Sequence, residues 1–167
     1  MGTRSIKTNS DKVLKMPFSK SELKRFLAKP RMAHIATVST TGKPRVNPIW
    51  YAYENGYFYF TTRMGRTKGK HITKNPHVAL SIANETYPYK AVCVFGTAEV
   101  LREGRDEWLM KIASRYGKTE ARKWFPEVIT QPDRVVIVIK PTRILSWHYG
   151  RGDDKRQNNG ESMATNV

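Results

Sequence analysis

Cysteine is almost absent from this 167-residue sequence, in which Cys93 is the only one. A single cysteine can form neither an intrachain disulfide nor a cysteine-based zinc cluster. Its neighbours in the run AVCVFG are apolar, which favours a buried, inert thiol over a nucleophile. The four histidines are scattered without the spacing of metal ligands. We therefore expect no metal site.

Catalytic motifs are also missing. The sequence has no G-x-G-x-x-G or Walker pattern and no anchor for a Ser-His-Asp triad. Asp106 and Glu107 fall in the first turn of a predicted helix, where acidic residues interact favourably with the helix dipole. We therefore interpret them as helix-stabilising residues, and the sequence assigns no catalytic residue.

Long apolar runs are absent as well. No segment reaches the roughly 18 apolar residues that a membrane-spanning helix needs. The N-terminal residues, MGTRSIKTNSDKVLKM, lack the continuous apolar segment of a secretory signal. The expectation is a cytoplasmic protein without a membrane segment.

Acidic residues are scarce relative to basic ones. Lysine and arginine number 30 against 14 aspartates and glutamates, which gives a formal net charge of +16. Such an excess favours anionic partners, whether nucleic acid, acidic lipid, or small molecules bearing phosphate or carboxylate groups. The charge does not choose among them, and non-specific nucleic-acid binding stays open.

The order of predicted elements indicates a mainly β domain. The length and the hydrophobic share of 39% suit one domain with its own core. Tight turns such as Asn55-Gly56 join most strands, which favours antiparallel pairing in a closed or split barrel. Residues 1–16 are predicted to be a flexible basic arm, residues 17–148 the folded domain and residues 149–167 a polar tail. The predicted helices cover residues 20–28, 67–74, 103–116 and 119–125, and the predicted strands cover residues 33–39, 44–53, 57–62, 77–83, 90–102, 134–140 and 142–148.

One stretch, YFYFTTRMGRTKGKHI, gives the strongest indication of a ligand. Its aromatic strand formers end in the hydroxyls of Thr61 and Thr62. A cationic turn and a predicted short helix follow, with Gly65 and Gly69 expected to keep the backbone permissive. Lysine, arginine and the free N–H groups of a helix N-terminus suit a phosphate group. A solvated basic loop is the alternative reading. The positive residues are Arg63, Arg66, Lys68, Lys70 and Lys74.

Several segments, in order, resemble the split-barrel flavin-binding proteins related to pyridoxamine 5′-phosphate oxidase, especially their small deazaflavin-dependent branch. The resemblance covers about residues 20–148. It implies a mainly β fold, a six- to seven-stranded antiparallel split β-barrel of the FMN-binding type with peripheral helices. The matching segments are PRMAHIATVSTTGKPRVNPIWYAYENGYFYFTT (30–62), TKGKHITKNPHVALSI (67–82), ETYPYKAVCVFGTAEV (85–100), SRYG (114–117) and PTRILSW (141–147).

The resemblance also implies a homodimer with two cofactor sites at the subunit interface. The implied cofactor is FMN, with the deazaflavin coenzyme F420 as the alternative. By the family pattern, the phosphate lies on Thr62 and Lys68, with Thr61 and Thr67 beside them and Arg45 facing the phosphate or tail. The ring system is expected to contact backbone groups of Val46, Asn47 and Pro48, and the pocket to be closed by Trp50 and by Trp147, the latter from the partner chain.

The implied activity is an FMN- or F420-dependent oxidoreductase that transfers hydride to a small-molecule substrate. The oxidase itself has Ser-Arg-Lys where this chain has Arg66-Thr67-Lys68, so pyridoxamine phosphate is not the expected substrate. Two other functions stay open. One is a non-catalytic protein that binds a flavin or haem, and the other is a basic nucleic-acid-binding module.

Overall fold

The computed structural model describes the backbone of residues 14–150 and the side chains of residues 17–148, apart from those of Glu120 and Trp124. Residues 1–13 of the predicted arm and residues 151–167 of the predicted tail lie outside this part. The inner ends of both segments belong to strands. Residues 14–16, expected in the arm, pair with residues 148–150.

The strands form one antiparallel sheet that curls into a half-barrel, which confirms the predicted split barrel. Seven strands follow the order β3-β2-β6-β7-β8-β5-β4, and β1 pairs with the far end of β8. The elements are β1 (Leu14–Met16), α1 (Lys20–Ala28), β2 (Ala33–Val38), β3 (Pro44–Ile49), β4 (Ala52–Glu54), β5 (Tyr57–Arg63), α2 (Thr67–Lys74), β6 (His77–Ala83), β7 (Lys90–Val100), α3 (Arg105–Ser114), α4 (Lys118–Ile129) and β8 (Arg134–Gly150).

Alternation along the strands divides the core between the two faces of the sheet. In β5, Phe58 and Phe60 point into the curled sheet, where they join the larger apolar cluster. Tyr59 points to the opposite face and joins a second cluster with Leu109 of α3 and Val128 of α4. Burying each of these aromatic side chains contributes roughly 1.5–3 kcal/mol of hydrophobic stabilisation. β5 is therefore held rigidly from both sides up to the threonines at its end.

The two last predicted strands are a single strand, β8, of 17 residues. Pro141, taken as the break between them, lies at a bulge where the β7 register shifts between Phe95 and Gly96. A Cβ at Gly96 would lie 2.3 Å from the Lys140 carbonyl oxygen, so only glycine allows the strands this close. Because the bulge accommodates a proline without ending the ladder, the strand continues past it.

The predicted strand over residues 44–53 is interrupted. β3 ends at Ile49, and β4 starts at Ala52. Between them, the Tyr51 N–H donates to the hydroxyl oxygen of Tyr116 at 3.0 Å, a partner 65 residues away. This hydrogen bond satisfies a backbone donor outside the ladder and lets the chain turn from one edge of the sheet to the other.

The helices follow their predicted signals, with one exception. The capping box at Ser19 and Glu22 is present at the start of α1. The helix predicted to stop before Pro126 instead runs to Ile129. Proline removes one backbone hydrogen bond, but the turn beyond it packs Val128 and Ile129 into the second cluster. Tertiary burial therefore outweighs the helix-breaking tendency of this proline.

Candidate functional site

The two threonines at the end of β5 point to opposite faces of the sheet. Thr62 is only 5% exposed and lies on the face of Phe60. The Thr61 hydroxyl donates to the Val135 carbonyl oxygen at 3.1 Å and accepts from Arg134 Nη1 at 3.2 Å. The two hydroxyls therefore do not converge on one phosphate. Thr62 shares its face with Lys68, whose Nζ lies 5.3 Å from the Phe60 ring centroid.

The N-terminus of α2 is open to an anion. Arg66 occupies the N-cap without a side-chain hydrogen bond, and the first turn contains no acidic residue. The first N–H groups of a helix have no intrahelical acceptor. Gly69 brings this turn against the end of β5, since a Cβ there would lie 2.7 Å from the Arg63 carbonyl oxygen. Close approach, rather than the expected backbone freedom, explains this glycine, because neither Gly65 nor Gly69 has a positive φ.

Four positive side chains lie at this end of the sheet, and we call them the cationic cluster: Arg63, Arg66, Lys68 and Arg134. Burial, and next the charge of Arg63, lower the pKa of the Arg134 guanidinium; Asp133 opposes this, and Arg105 and Arg66 add to it. Burial, and next the charge of Arg134, lower the pKa of the Lys68 ammonium to about 8. Burial is the main cause of both shifts, and the neighbouring positive charges add to it.

Asp133 neutralises part of the positive charge of the cationic cluster. Its carboxylate accepts from Arg63 Nε at 2.8 Å and from the Gly65 N–H at 3.3 Å. The hydrogen bond from Arg63 is the main reason that the pKa of this carboxyl falls below its usual value. Among the described residues, no carboxylate forms an ion pair with Lys68 or Arg134. The cluster therefore keeps a net positive charge.

Strand β3 lies at one end of the sheet order and leaves one edge open. Its register alternates, so Arg45 and Asn47 share a face with Thr37 and Ile35 of β2. The Thr37 hydroxyl forms a hydrogen bond with Nδ1 of His71 at 3.1 Å. His71 lies one helical turn beyond Lys68, so α2 reaches from the end of β5 to β2, the strand beside β3. Thr67 and Arg45 are both exposed.

The open edge of β3 has an unusual pattern of backbone groups. In an antiparallel ladder, alternate residues turn their N–H and C=O groups away from the partner strand. The Ser39 N–H donates to the Lys43 carbonyl oxygen, which places Pro44, Val46 and Pro48 among the outward residues. Prolines have no N–H, so Val46 supplies the one outward donor among three outward carbonyls. The outward N–H and the three outward carbonyls therefore form a short row of backbone groups that could hydrogen-bond to the edge of a heterocyclic ligand.

The two tryptophans expected at the pocket lie apart. Trp50 stacks on Tyr116, with ring centroids 4.8 Å apart and planes at 6°. Trp147 lies on the outer face of the sheet, opposite Ala91. Along β8, 13 residues separate Arg134 from Trp147, which corresponds to roughly 40 Å of strand. One protomer therefore cannot bring Trp147 and the cationic cluster to the same small ligand.

The described part of the chain contains neither a group of metal ligands nor a membrane-spanning helix. No three histidine, cysteine, aspartate or glutamate side chains there come together to hold a metal ion. No helix within residues 14–150 has both the length and the apolar character needed to cross a membrane.

The sequence model of the pyridoxamine 5′-phosphate oxidase family matches residues 19–148. The chain belongs to this family. The match spans the whole described sheet except β1 and the last two residues of β8, and it includes both the cationic cluster and the open edge of β3. No curated protein matches the chain.

Several solved structures share this fold. A conserved hypothetical protein from Mycobacterium tuberculosis is 22% identical with a TM-score of 0.70, over 92% of this chain and 96% of its own. An F420 reductase is 29% identical with a TM-score of 0.53, over 72% of this chain and 94% of its own. An FAD-binding protein from Mesorhizobium loti is 20% identical with a TM-score of 0.63, over 83% and 99%.

Three residues of this family member escaped the sequence analysis. Arg134 and Asp133 reach the end of β5 from a point 70 residues further along the chain, and no local pattern links them to it. Tyr116 was noted only within SRYG, although its hydroxyl also donates to the Arg31 carbonyl oxygen. The one available indication was an Asp-Arg pair directly before the apolar run VVIVI.

Proposed function

We propose that this member of the pyridoxamine 5′-phosphate oxidase family is a cytoplasmic, homodimeric oxidoreductase that uses FMN or the deazaflavin coenzyme F420. The observation that supports it most is the cationic cluster at the N-terminus of α2, which lacks carboxylates beyond Asp133. A flavin or deazaflavin carries hydride itself, so the chain has to bind and orient rather than supply acid–base groups.

The residues at the α2 end fit the phosphate of such a cofactor. Lys68 and Arg134 would donate charge-assisted hydrogen bonds, and the first-turn N–H groups would add donors without charge. Thr62, on the face of Lys68, is placed to add a hydroxyl. Thr61 holds Arg134 instead, because its hydroxyl already has two partners. Arg63 is kept in place by Asp133.

The open edge of β3 fits the pyrimidine edge of the ring system. That edge presents a carbonyl, an N–H and a second carbonyl; the Val46 N–H would donate to one carbonyl, and the Val46 carbonyl oxygen would accept from the ring N–H. Arg45 and Asn47 on the neighbouring face would flank the ring or its tail. Binding through backbone groups orients the ring without requiring particular side chains at Val46 and Pro48.

The outer face of the sheet supports a homodimer. A row of paired residues crosses four strands there: Val46, Ala36, Ala79 and Phe95. In the single chain, Val46 is 61% exposed and Phe95 is 44% exposed. The alanines between them keep the face flat enough for another sheet to approach. A second copy would bury the same row twice and carry Trp147 towards the other subunit's cationic cluster.

Two observations bear on the choice between FMN and F420. The F420 reductase is the most similar in sequence of the three structures above, and the anionic tail of F420 suits a chain of net charge +16. FMN would need only the cationic cluster. The cofactor that co-purifies decides this point, because its absorption spectrum identifies it.

The test is to titrate FMN and F420 with the purified protein and follow cofactor fluorescence. We expect saturable quenching by wild type and at least tenfold weaker binding by Lys68→Ala, since a charge-assisted hydrogen bond contributes about 1.5–3 kcal/mol. Lys70→Ala is the matched control on an exposed position of the same helix, and it should bind as wild type does. Turnover with a reduced cofactor then tests the enzyme assignment.

Other outcomes would point elsewhere. Saturable binding without turnover by any acceptor would favour a non-catalytic flavin carrier, and a haem spectrum of the purified protein would favour a haem binder. Binding to short nucleic acids with a steep logarithmic salt dependence, and none to either cofactor, would replace the proposal with a charge-driven nucleic-acid module.

A further inference from the structure

Lys68 differs from an ordinary surface lysine in its surroundings. Its side chain is half-buried and its Nζ lies over the Phe60 ring at 5.3 Å from the centroid. The charge that acts on it is that of Arg134 from β8, and Arg63, Asp133 and Arg66 act on Arg134 in turn. No described carboxylate forms an ion pair with it. The Phe60 ring favours the ammonium form through a cation–π contact, but burial and the charge of Arg134 outweigh it and lower the pKa of Lys68.

The neutral amine is the nucleophilic form of lysine. With a pKa of about 8, about a quarter of Lys68 is neutral at pH 7.5, against about 0.1% for an exposed lysine of ordinary pKa. The difference is roughly two orders of magnitude in reactive amine. Such an amine beside cationic groups is a known way to prepare a lysine for addition to a carbonyl.

The same end of the sheet binds phosphate in the function proposed above, and the present inference rests on that anion site. We propose that Lys68 is a covalent modification site for small aldehydes that carry a phosphate monoester. The phosphate would bind Arg134, Arg66 and the first-turn N–H groups of α2. The carbonyl group would then be held beside Nζ, which raises its effective concentration there.

The reaction is an addition followed by loss of water. The Nζ lone pair forms a bond to the carbonyl carbon, and the carbonyl oxygen takes up a proton. The resulting hydroxyl leaves as water after gaining a second proton, while nitrogen loses its two protons and forms the C=N double bond. Amine and aldehyde give imine and water, without an oxidant or a reductant, and the reaction is reversible.

The adduct has a consequence for cofactor loading. A modified Lys68 cannot hold a cofactor phosphate, and the modifier's own phosphate occupies the cluster. Phosphorylated aldehydes and the cofactor therefore exclude one another. Aldehydes without a phosphate would react far more weakly, because nothing would hold them at the amine.

The experiment uses pyridoxal 5′-phosphate, whose imine absorbs visible light, on the full-length protein freed of bound chromophore. After reduction with borohydride, peptide mass spectrometry locates the adduct. We expect Lys68 to be labelled at least tenfold faster than Lys70, labelling to vanish in Lys68→Arg, and Lys70→Arg to be labelled as wild type. Pyridoxal without phosphate should label Lys68 at least tenfold more slowly, and excess inorganic phosphate should protect it.

The outcomes separate this inference from the proposed function. Labelling spread evenly over exposed lysines, or unchanged in Lys68→Arg, overturns the inference even where FMN binds. Selective, phosphate-sensitive labelling of Lys68 in a protein that binds neither FMN nor F420 supports the inference while the proposed function fails. Protection by FMN at its own binding concentration supports both.

Discussion

The pKa of Lys68 makes a quantitative prediction about cofactor binding. Lys68 is a base whose pKa in the folded protein is lowered to about 8. A bound phosphate dianion would favour the protonated form, so binding takes up a proton where the free protein has lost it. The affinity should therefore be constant well below pH 8 and fall as pH rises through 8.

The magnitude follows from the protonated fraction of free Lys68. With a pKa of about 8, this fraction falls from about 0.9 at pH 7 to about 0.1 at pH 9, so affinity should fall about tenfold, or about 1.4 kcal/mol. The FMN phosphate contributes nothing to this slope, because its second pKa is about 6. Arginine side chains do not lose their proton in this range, and Asp133, whose pKa is lowered chiefly by the hydrogen bond from Arg63, stays ionised.

Fluorescence titrations of FMN between pH 7 and pH 9 at constant ionic strength provide the measurement. Lys68→Arg should bind with a flat profile, since arginine stays protonated, and Lys68→Met should bind weakly with an equally flat profile. Lys70→Met, changed at an exposed position of α2, should keep the wild-type slope. A flat profile in wild type, or a wild-type slope in Lys68→Arg, would refute the assignment of Lys68 to the phosphate.

Three further predictions concern the scaffold. In Gly69→Ala, the added Cβ would lie 2.7 Å from the Arg63 carbonyl oxygen. We expect this contact to lower the free energy of unfolding in urea by roughly 1–3 kcal/mol and to weaken FMN binding. Unchanged stability and unchanged binding would show that α2 can move away from β5 without cost. Tyr116→Phe keeps the ring but removes a hydroxyl with two backbone partners, so we expect a loss of about 1–3 kcal/mol in the same assay, and no loss would contradict the hydrogen-bond geometry. Phe95→Arg on the outer face should convert a dimer to a monomer in sedimentation experiments, and a variant that sediments as wild type would move the interface elsewhere.

The fold was predictable because local patterns and tertiary structure agree over most of the chain. Alternation in β5 and β6, the capping box at Ser19 and the Asn55-Gly56 turn act within a few residues. The errors arose where a distant partner decides the local structure. The Tyr51 N–H leaves the ladder for Tyr116, and Pro141 stays in a strand because Gly96 permits a bulge opposite it.

The candidate site was predictable to a smaller extent, for the same reason. Lys68 and the open start of α2 follow from one short stretch of sequence. The placement of Thr61 on the opposite face from Thr62 follows from strand alternation and could have been anticipated. Arg134 and Asp133 could not, because the sheet order that puts β8 beside β5 is set by long-range packing. The cofactor-binding roles of all the predicted site residues, Lys68 and Thr62 included, stay predictions.

The prolines of β3 also bear on how this chain behaves in a crowded cell. A half-barrel ends in strands whose free edges can template pairing with other chains, and such edges are common starting points for aggregation. Because Pro44 and Pro48 have no N–H, the outer edge of β3 lacks two of the three backbone donors that an added strand would need. An extended polypeptide therefore cannot form a continuous hydrogen-bonded ladder along this edge. A ligand that needs a single donor is unaffected, and the edge can stay uncovered without becoming a hazard.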